Sequence, residues 1–194
     1  MRVGPIALSV ASLLFIFAPS SNAALIQFEG FAPVGSLVNV NPGAPYSEAG
    51  FTFTPFNSAS AVFDATAASD FPGDSTSWFG FAPGNLITMT GPIPFNLMSL
   101  LIGPSTIGSG NIDATITGNV FGGGTLSATF SGLTTATLET LNWTNLTDVT
   151  FSVTSDAGID DISTAAVPEP STLLLLGAGL GALAVRRRTQ GKRV

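Results

Sequence analysis

Between residues 24 and 167 the chain is written in short runs of alternating apolar and polar residues, each cut by Gly, Pro, Asn or Asp, and no stretch holds a helical period. A chain patterned in this way buries an apolar face by pairing strands, so the segment predicts an all-β fold. The clearest run is 111–120. Ile112, Ala114, Ile116, Gly118 and Val120 fall on one face, and Asn111, Asp113, Thr115, Thr117 and Asn119 on the other. After Gly122-Gly123-Gly124 the period resumes in Leu126, Ala128 and Phe130, which predicts a hairpin. Val149, Phe151 and Val153 repeat it. Further strands are predicted over 25–29, 37–40, 50–54, 61–64, 86–90, 95–102, 137–141 and 159–164, with turns at Asn41-Pro42-Gly43 and Pro83-Gly84-Asn85. About ten or eleven short strands, with phenylalanine supplying the bulk of the core, predict a two-sheet sandwich.

Charge narrows the chemistry such a sandwich can perform. All six basic residues lie outside 24–167, whereas eleven of the twelve acids lie inside it, giving that segment a formal charge of −11. Phosphate recognition draws on Lys and Arg, so nucleic acid is excluded as a partner. The chain has no His and no Cys. An imidazole base, a thiolate nucleophile and His or Cys metal ligands are thereby excluded. A glycosidase needs two carboxyl groups at a defined separation. Eleven acids offer many pairs and no basic group to orient a substrate, so the segment reads as non-catalytic.

The flanks carry addresses. Residues 1–23 predict a secretory signal: Arg2 follows Met1, 6–18 are apolar, and Pro19-Ser20-Ser21-Asn22-Ala23 closes with small residues at the positions a signal peptidase reads. Past Val167 come Pro168-Glu169-Pro170, an apolar stretch over 171–185, and Arg186-Arg187-Arg188. The prolines end any preceding strand. The apolar stretch is read as a transmembrane helix, its reach extended by snorkelling arginine stems, and the arginines hold their flank in the cytoplasm. That order places 24–166 outside, with 190–194 a basic cytoplasmic tail.

The Pro-Glu-Pro tripeptide, the glycine-containing apolar helix and the arginine cluster together resemble the PEP-CTERM sorting signal of Gram-negative bacteria, over 167–189. The resemblance implies recognition of Pro168, Glu169 and Pro170 by exosortase, an integral-membrane cysteine transpeptidase, with Arg186, Arg187 and Arg188 as the membrane stop. It further implies an inner-membrane precursor released to the envelope or exterior, in association with exopolysaccharide or biofilm. The segment 95–164 also resembles the jelly-roll modules found ahead of such tails, an architecture shared with carbohydrate-binding modules. A calcium-stabilised carbohydrate-binding module or degenerate glycoside hydrolase is therefore the alternative reading.

Two sets of residues are candidates for a site. Alternation through Asp160-Asp161 points one carboxylate toward the core, where no basic residue of the segment can pair with it. A calcium ion with Glu29, Asp160 and Asp161 as hard oxygen ligands would satisfy it if the first and last strands lie side by side. Trp78, with Asp70 and Asp74 in the loop before it, suits a sugar, since the ring can stack and the carboxylates accept hydroxyl hydrogen bonds; on the plainer reading Trp78 and Phe79 straddle a strand and one of them is core. Asn142-Trp143-Thr144 and Asn145-Leu146-Thr147 match the N-glycosylation tripeptide.

Overall fold

A computed structural model describes residues 23–57, 60–64, 76–105, 110–165 and 167. They form eleven strands and, among the described residues, no helix. The strands are β1 (Ala24–Ile26), β2 (Leu37–Val40), β3 (Tyr46–Glu48), β4 (Phe51–Pro55), β5 (Ser60–Phe63), β6 (Trp78–Phe81), β7 (Ile87–Pro104), β8 (Ile112–Val120), β9 (Thr125–Leu133), β10 (Thr137–Val153) and β11 (Ala157–Ala165). The signal over 1–23, apart from Ala23, and the membrane helix over 171–185 lie outside the described residues.

Every pairing is antiparallel, and the hydrogen-bonded path runs β2-β5-β6-β11-β7-β10-β8-β9. Two long strands fold that path into two layers. The first part of β7 pairs with β4 and with the last part of β10, at Thr90↔Asp148 and Met89↔Val149. Its second part pairs with β11 and with the first part of β10, at Ile102↔Thr137 and Ser99↔Thr140. One layer is thus β3-β4-β7-β10-β8-β9 and the other β2-β5-β6-β11-β7-β10, with β1 paired to β11 in line with β6. This is the all-β, two-sheet sandwich that the alternation predicts, with the jelly-roll-like form that the resemblance of 95–164 implies.

The sequence states how β7 and β10 pass between layers. In β7 the crossing falls at Gly91-Pro92-Ile93-Pro94, where the prolines remove ladder donors and a Cβ on Gly91 would run into the Phe51 ring. In β10 the register shifts at Asn142, Asn145 and Thr147. Asn142 and Asn145 are left-handed, at φ +52° and +63°, a conformation Asn tolerates better than most residues. The two glycosylation-like tripeptides therefore coincide with two bulges of a crossing strand.

The core lies between the layers. Phe53 and Met89 from one layer, and Phe79, Ile159 and Leu100 from the other, are fully buried. Phe53 meets Phe79 across the interface at 5.9 Å between ring centroids, and Phe28 at 5.2 Å edge-on. Burying one such ring is worth about 1.5–3 kcal/mol.

Several boundaries differ from the sequence expectation. The expected strands over 86–90 and 95–102 are one strand, β7, and 137–141 is continuous with the Val149 run in β10. A bulged strand keeps its pairing through a break in alternation. β3 has no counterpart among the expected strands, and β6 is expected only in so far as Trp78 and Phe79 straddle a strand. Trp78-Phe79-Gly80-Phe81 has no alternation to read, because all four residues are buried.

Candidate functional site

Acids gather around one phenol where β1, β3 and β11 approach. Tyr46 and Glu48 are two apart on β3, so they leave the same face of the strand, and the Tyr46 hydroxyl donates to Glu48 Oε2 at 2.7 Å. The same carboxylate accepts the Gln27 amide at 3.2 Å and the Phe28 amide at 2.9 Å. These bonds terminate β1. Phe28 is left-handed at φ +58° with its ring buried against Tyr46 and Phe53, so the expected strand over 25–29 stops at Ile26. Burial, the bond to Glu48, and the charges of Glu48, Glu29 and Asp160 push the Tyr46 hydroxyl far above its ordinary range.

The three expected calcium ligands take separate partners. Glu29 is exposed and accepts the Ser77 amide at 2.8 Å and the Ser77 hydroxyl at 3.3 Å. Asp160 is 0% exposed and accepts the Thr76 hydroxyl at 2.8 Å. Glu29 and Asp160 are therefore brought to adjacent residues. Asp161 turns elsewhere: at φ +46°, it accepts Gln27 Nε2 at 2.9 Å. Ile159 and Ile162 both lie in the core with the two aspartates between them, one residue more than alternation allows. This bulge buries Asp160 and leaves Asp161 partly exposed. Among the described residues, no three acidic side chains come together as a metal-holding group.

Trp78 occupies the outer face of its layer. On β5 and β6, Val62 and Phe79 point into the main core, while Phe63 and Trp78 form a second cluster with Leu101 and Ala136. Trp78 is only 2% exposed and stacks on Phe63 at 4.3 Å, with 9° between the ring planes. Both rings lean over Gly80, where a Cβ would stand 2.6 Å from Trp78 Cζ3 and 2.7 Å from Phe63 Cε2. Beside them opens a groove of about 280 Å³, lined by Asn39, Ala61, Phe63, Gly80, Ser105 and Asp156 among others. Its far side is fixed by the Ser105 amide, which donates to the Asp156 carbonyl at 2.9 Å.

Asp70 and Asp74, expected beside Trp78, lie outside the described residues, as do Pro168, Glu169, Pro170, Arg186, Arg187 and Arg188. Sequence reasoning did not find Glu48, Asn39 or Asp156. Glu48 meets the end of β1 only through its side chain, since β3 pairs with β4 and β1 with β11, and the local pattern does not show that approach. The groove depends on the register Asn39↔Ala61↔Gly80, which needs β6 to be known.

No curated protein matches the sequence. Among solved structures, the chain is similar to TmCBM61, solved in complex with β-1,4-galactotriose, at 14% identity and a TM-score of 0.41, over 60% of this chain and 88% of that one. It is similar to the arabinose-bound α-L-arabinofuranosidase MgGH51 at 13% identity and TM-score 0.39, over 75% of this chain and 32% of that one. A third similarity, at 9% identity and TM-score 0.35, is to a structure of CBM51-2 in complex with GlcNAc and INT domains from Clostridium perfringens ZmpB, over 78% of this chain and 31% of that one. Residues 166–188 match the family model of the PEP-CTERM protein-sorting motif, so downstream of its β-sandwich the chain carries the sorting signal of exported proteins handled by an exosortase.

Proposed function

We propose that the protein is a non-catalytic component of the cell envelope or extracellular matrix, delivered by a signal peptide, released from its sorting tail by exosortase, and associated with exopolysaccharide. The observation that carries this reading is the sorting motif over 166–188. The absence of His, Cys, Lys and Arg from 24–167 supports a binding or structural role over catalysis. A sandwich with acids and hydroxyls on its surface suits a hydrated, neutral polymer as partner.

The alternative, a carbohydrate-binding module, is favoured by one feature: the groove beside the Phe63–Trp78 stack. The test is fractionation of the native host's matrix. The processed protein should sediment with polysaccharide and be released by glycosidase treatment. Recovery in the membrane fraction alone, or in the soluble medium without polymer, would contradict the proposal.

A further inference from the structure

The groove on the outer face of β2, β5 and β6 has the parts of a ligand site. We infer that it holds a neutral saccharide, a deepening of the polysaccharide association proposed above, on which it rests.

Three observations converge on that ligand class. The first is the wall. Phe63 is half-buried and backed by Trp78 at 4.3 Å in a near-parallel stack, so its ring is held in one orientation before any ligand arrives. A rigid aromatic surface suits the C–H face of a pyranose, and the ordering cost is already met by the stack. Gly80 keeps the two rings seated, since any side chain there would displace them.

The second is the polar rim. Asn39 is exposed on β2 and contributes an amide that both donates and accepts, while Asp156 brings a carboxylate that only accepts. Across a groove of about 280 Å³, close to the lower end of the roughly 300–1,000 Å³ of small-molecule sites, that set matches the hydroxyls of one or two sugar rings. It would hold a short stretch of polymer.

The third is charge, and it selects among saccharides. The segment 24–167 has formal charge −11 and no basic residue. A uronate, sulfate or phosphate brought to Asp156 would meet like charge with no Lys, Arg or His to offset it. Only a sugar without acidic substituents enters without that repulsion.

The experiment is calorimetric titration of the processed protein, purified from its native host, with short neutral gluco-, galacto- and manno-oligosaccharides and with oligogalacturonate as the anionic probe. At least one neutral probe should bind and oligogalacturonate should not. Asn39→Ala and Asp156→Ala should each weaken binding about tenfold, the scale of one lost hydrogen bond to a bound ligand. Phe56→Ala, at a site 76% exposed and outside the groove, should leave it unchanged. Asn39 is on an exposed edge strand, so that variant is expected to fold. Binding unaffected by both groove variants, preference for oligogalacturonate, or no neutral binding would each overturn the groove assignment. Matrix fractionation of the same preparations separates the two readings: polymer association that persists in the groove variants leaves the broader proposal standing, whereas its absence in the unaltered protein removes both.

Discussion

The Tyr46 hydroxyl donates to Glu48, two residues along the same three-residue strand, at 2.7 Å. Through Glu48 that contact also ties β3 to the end of β1, because the carboxylate accepts the amides of Gln27 and Phe28. The phenol is held protonated by burial and by surrounding negative charge. Its folded pKa lies above the unfolded one, so below about pH 10 the proton is bound in both states and stability is unaffected by this group. As pH rises past that value the unfolded chain releases the proton and the folded chain keeps it. Stability should then fall by about 1.4 kcal/mol per pH unit. Tyr46 is the single tyrosine of the chain, so tyrosinate absorbance reads this group alone. The absorbance change should coincide with base unfolding, and Tyr46→Phe should remove the slope. A phenol that titrates near pH 10 in folded protein would contradict the site.

The two left-handed asparagines of β10 yield a stability prediction. Asn145 donates its amide N–H to Asn96 Oδ1 at 2.9 Å and its side-chain Nδ2 to the Phe121 carbonyl at 3.0 Å, and its carbonyl accepts the Phe121 amide at 2.7 Å. Asn145→Ala should cost roughly 2–3 kcal/mol in urea unfolding, from left-handed strain together with one lost bond. Asn142→Gly, where only the backbone conformation is at stake, should be neutral or slightly stabilising, while Asn142→Ala costs about 1 kcal/mol. Equal stability of Asn142→Gly and Asn142→Ala would show that the bulge does not depend on left-handed backbone.

Calcium remains a proposal for Glu29 and Asp160, which reach the neighbouring residues Ser77 and Thr76 just before β6. Asp161 is committed to Gln27. Calcium in hundredfold excess over its Kd would stabilise the fold by roughly 2.7 kcal/mol, a rise of about 2–4 °C in Tm for each kcal/mol. Asp161→Asn should retain that response and Asp160→Asn should lose it. Superimposable melting curves in calcium and in chelator would leave both carboxylates with their protein donors alone.

The parts of this molecule that were legible in the sequence are those where one residue's neighbours decide its fate. Ile112, Ala114 and Ile116 are buried as their alternation requires, and Gly122-Gly123-Gly124, all at positive φ, turn the chain from β8 into β9. Alternation also showed that Asp160 or Asp161 must face inward. The choice between them rests on a bulge, which is a property of pairing with β7 and β1 rather than of the local pattern. For the same reason the sequence leaves Trp78 open between a sugar-stacking ring and a core residue on a strand. The structure buries Trp78 behind Phe63 and puts the accessible polar groups on Asn39 and Asp156, residues from two other parts of the chain.

Export followed by removal of the sorting tail can be read from the intact mass of the protein recovered from its native host. The mature chain should start at Ala24 and lack the apolar segment 171–185 with Arg186, Arg187 and Arg188. Replacement of Pro168, Glu169 and Pro170 by Ala should restore the mass of the tail while leaving the start at Ala24. A native protein that retains the segment 171–188, or a triple-alanine variant that loses it normally, would contradict the claim.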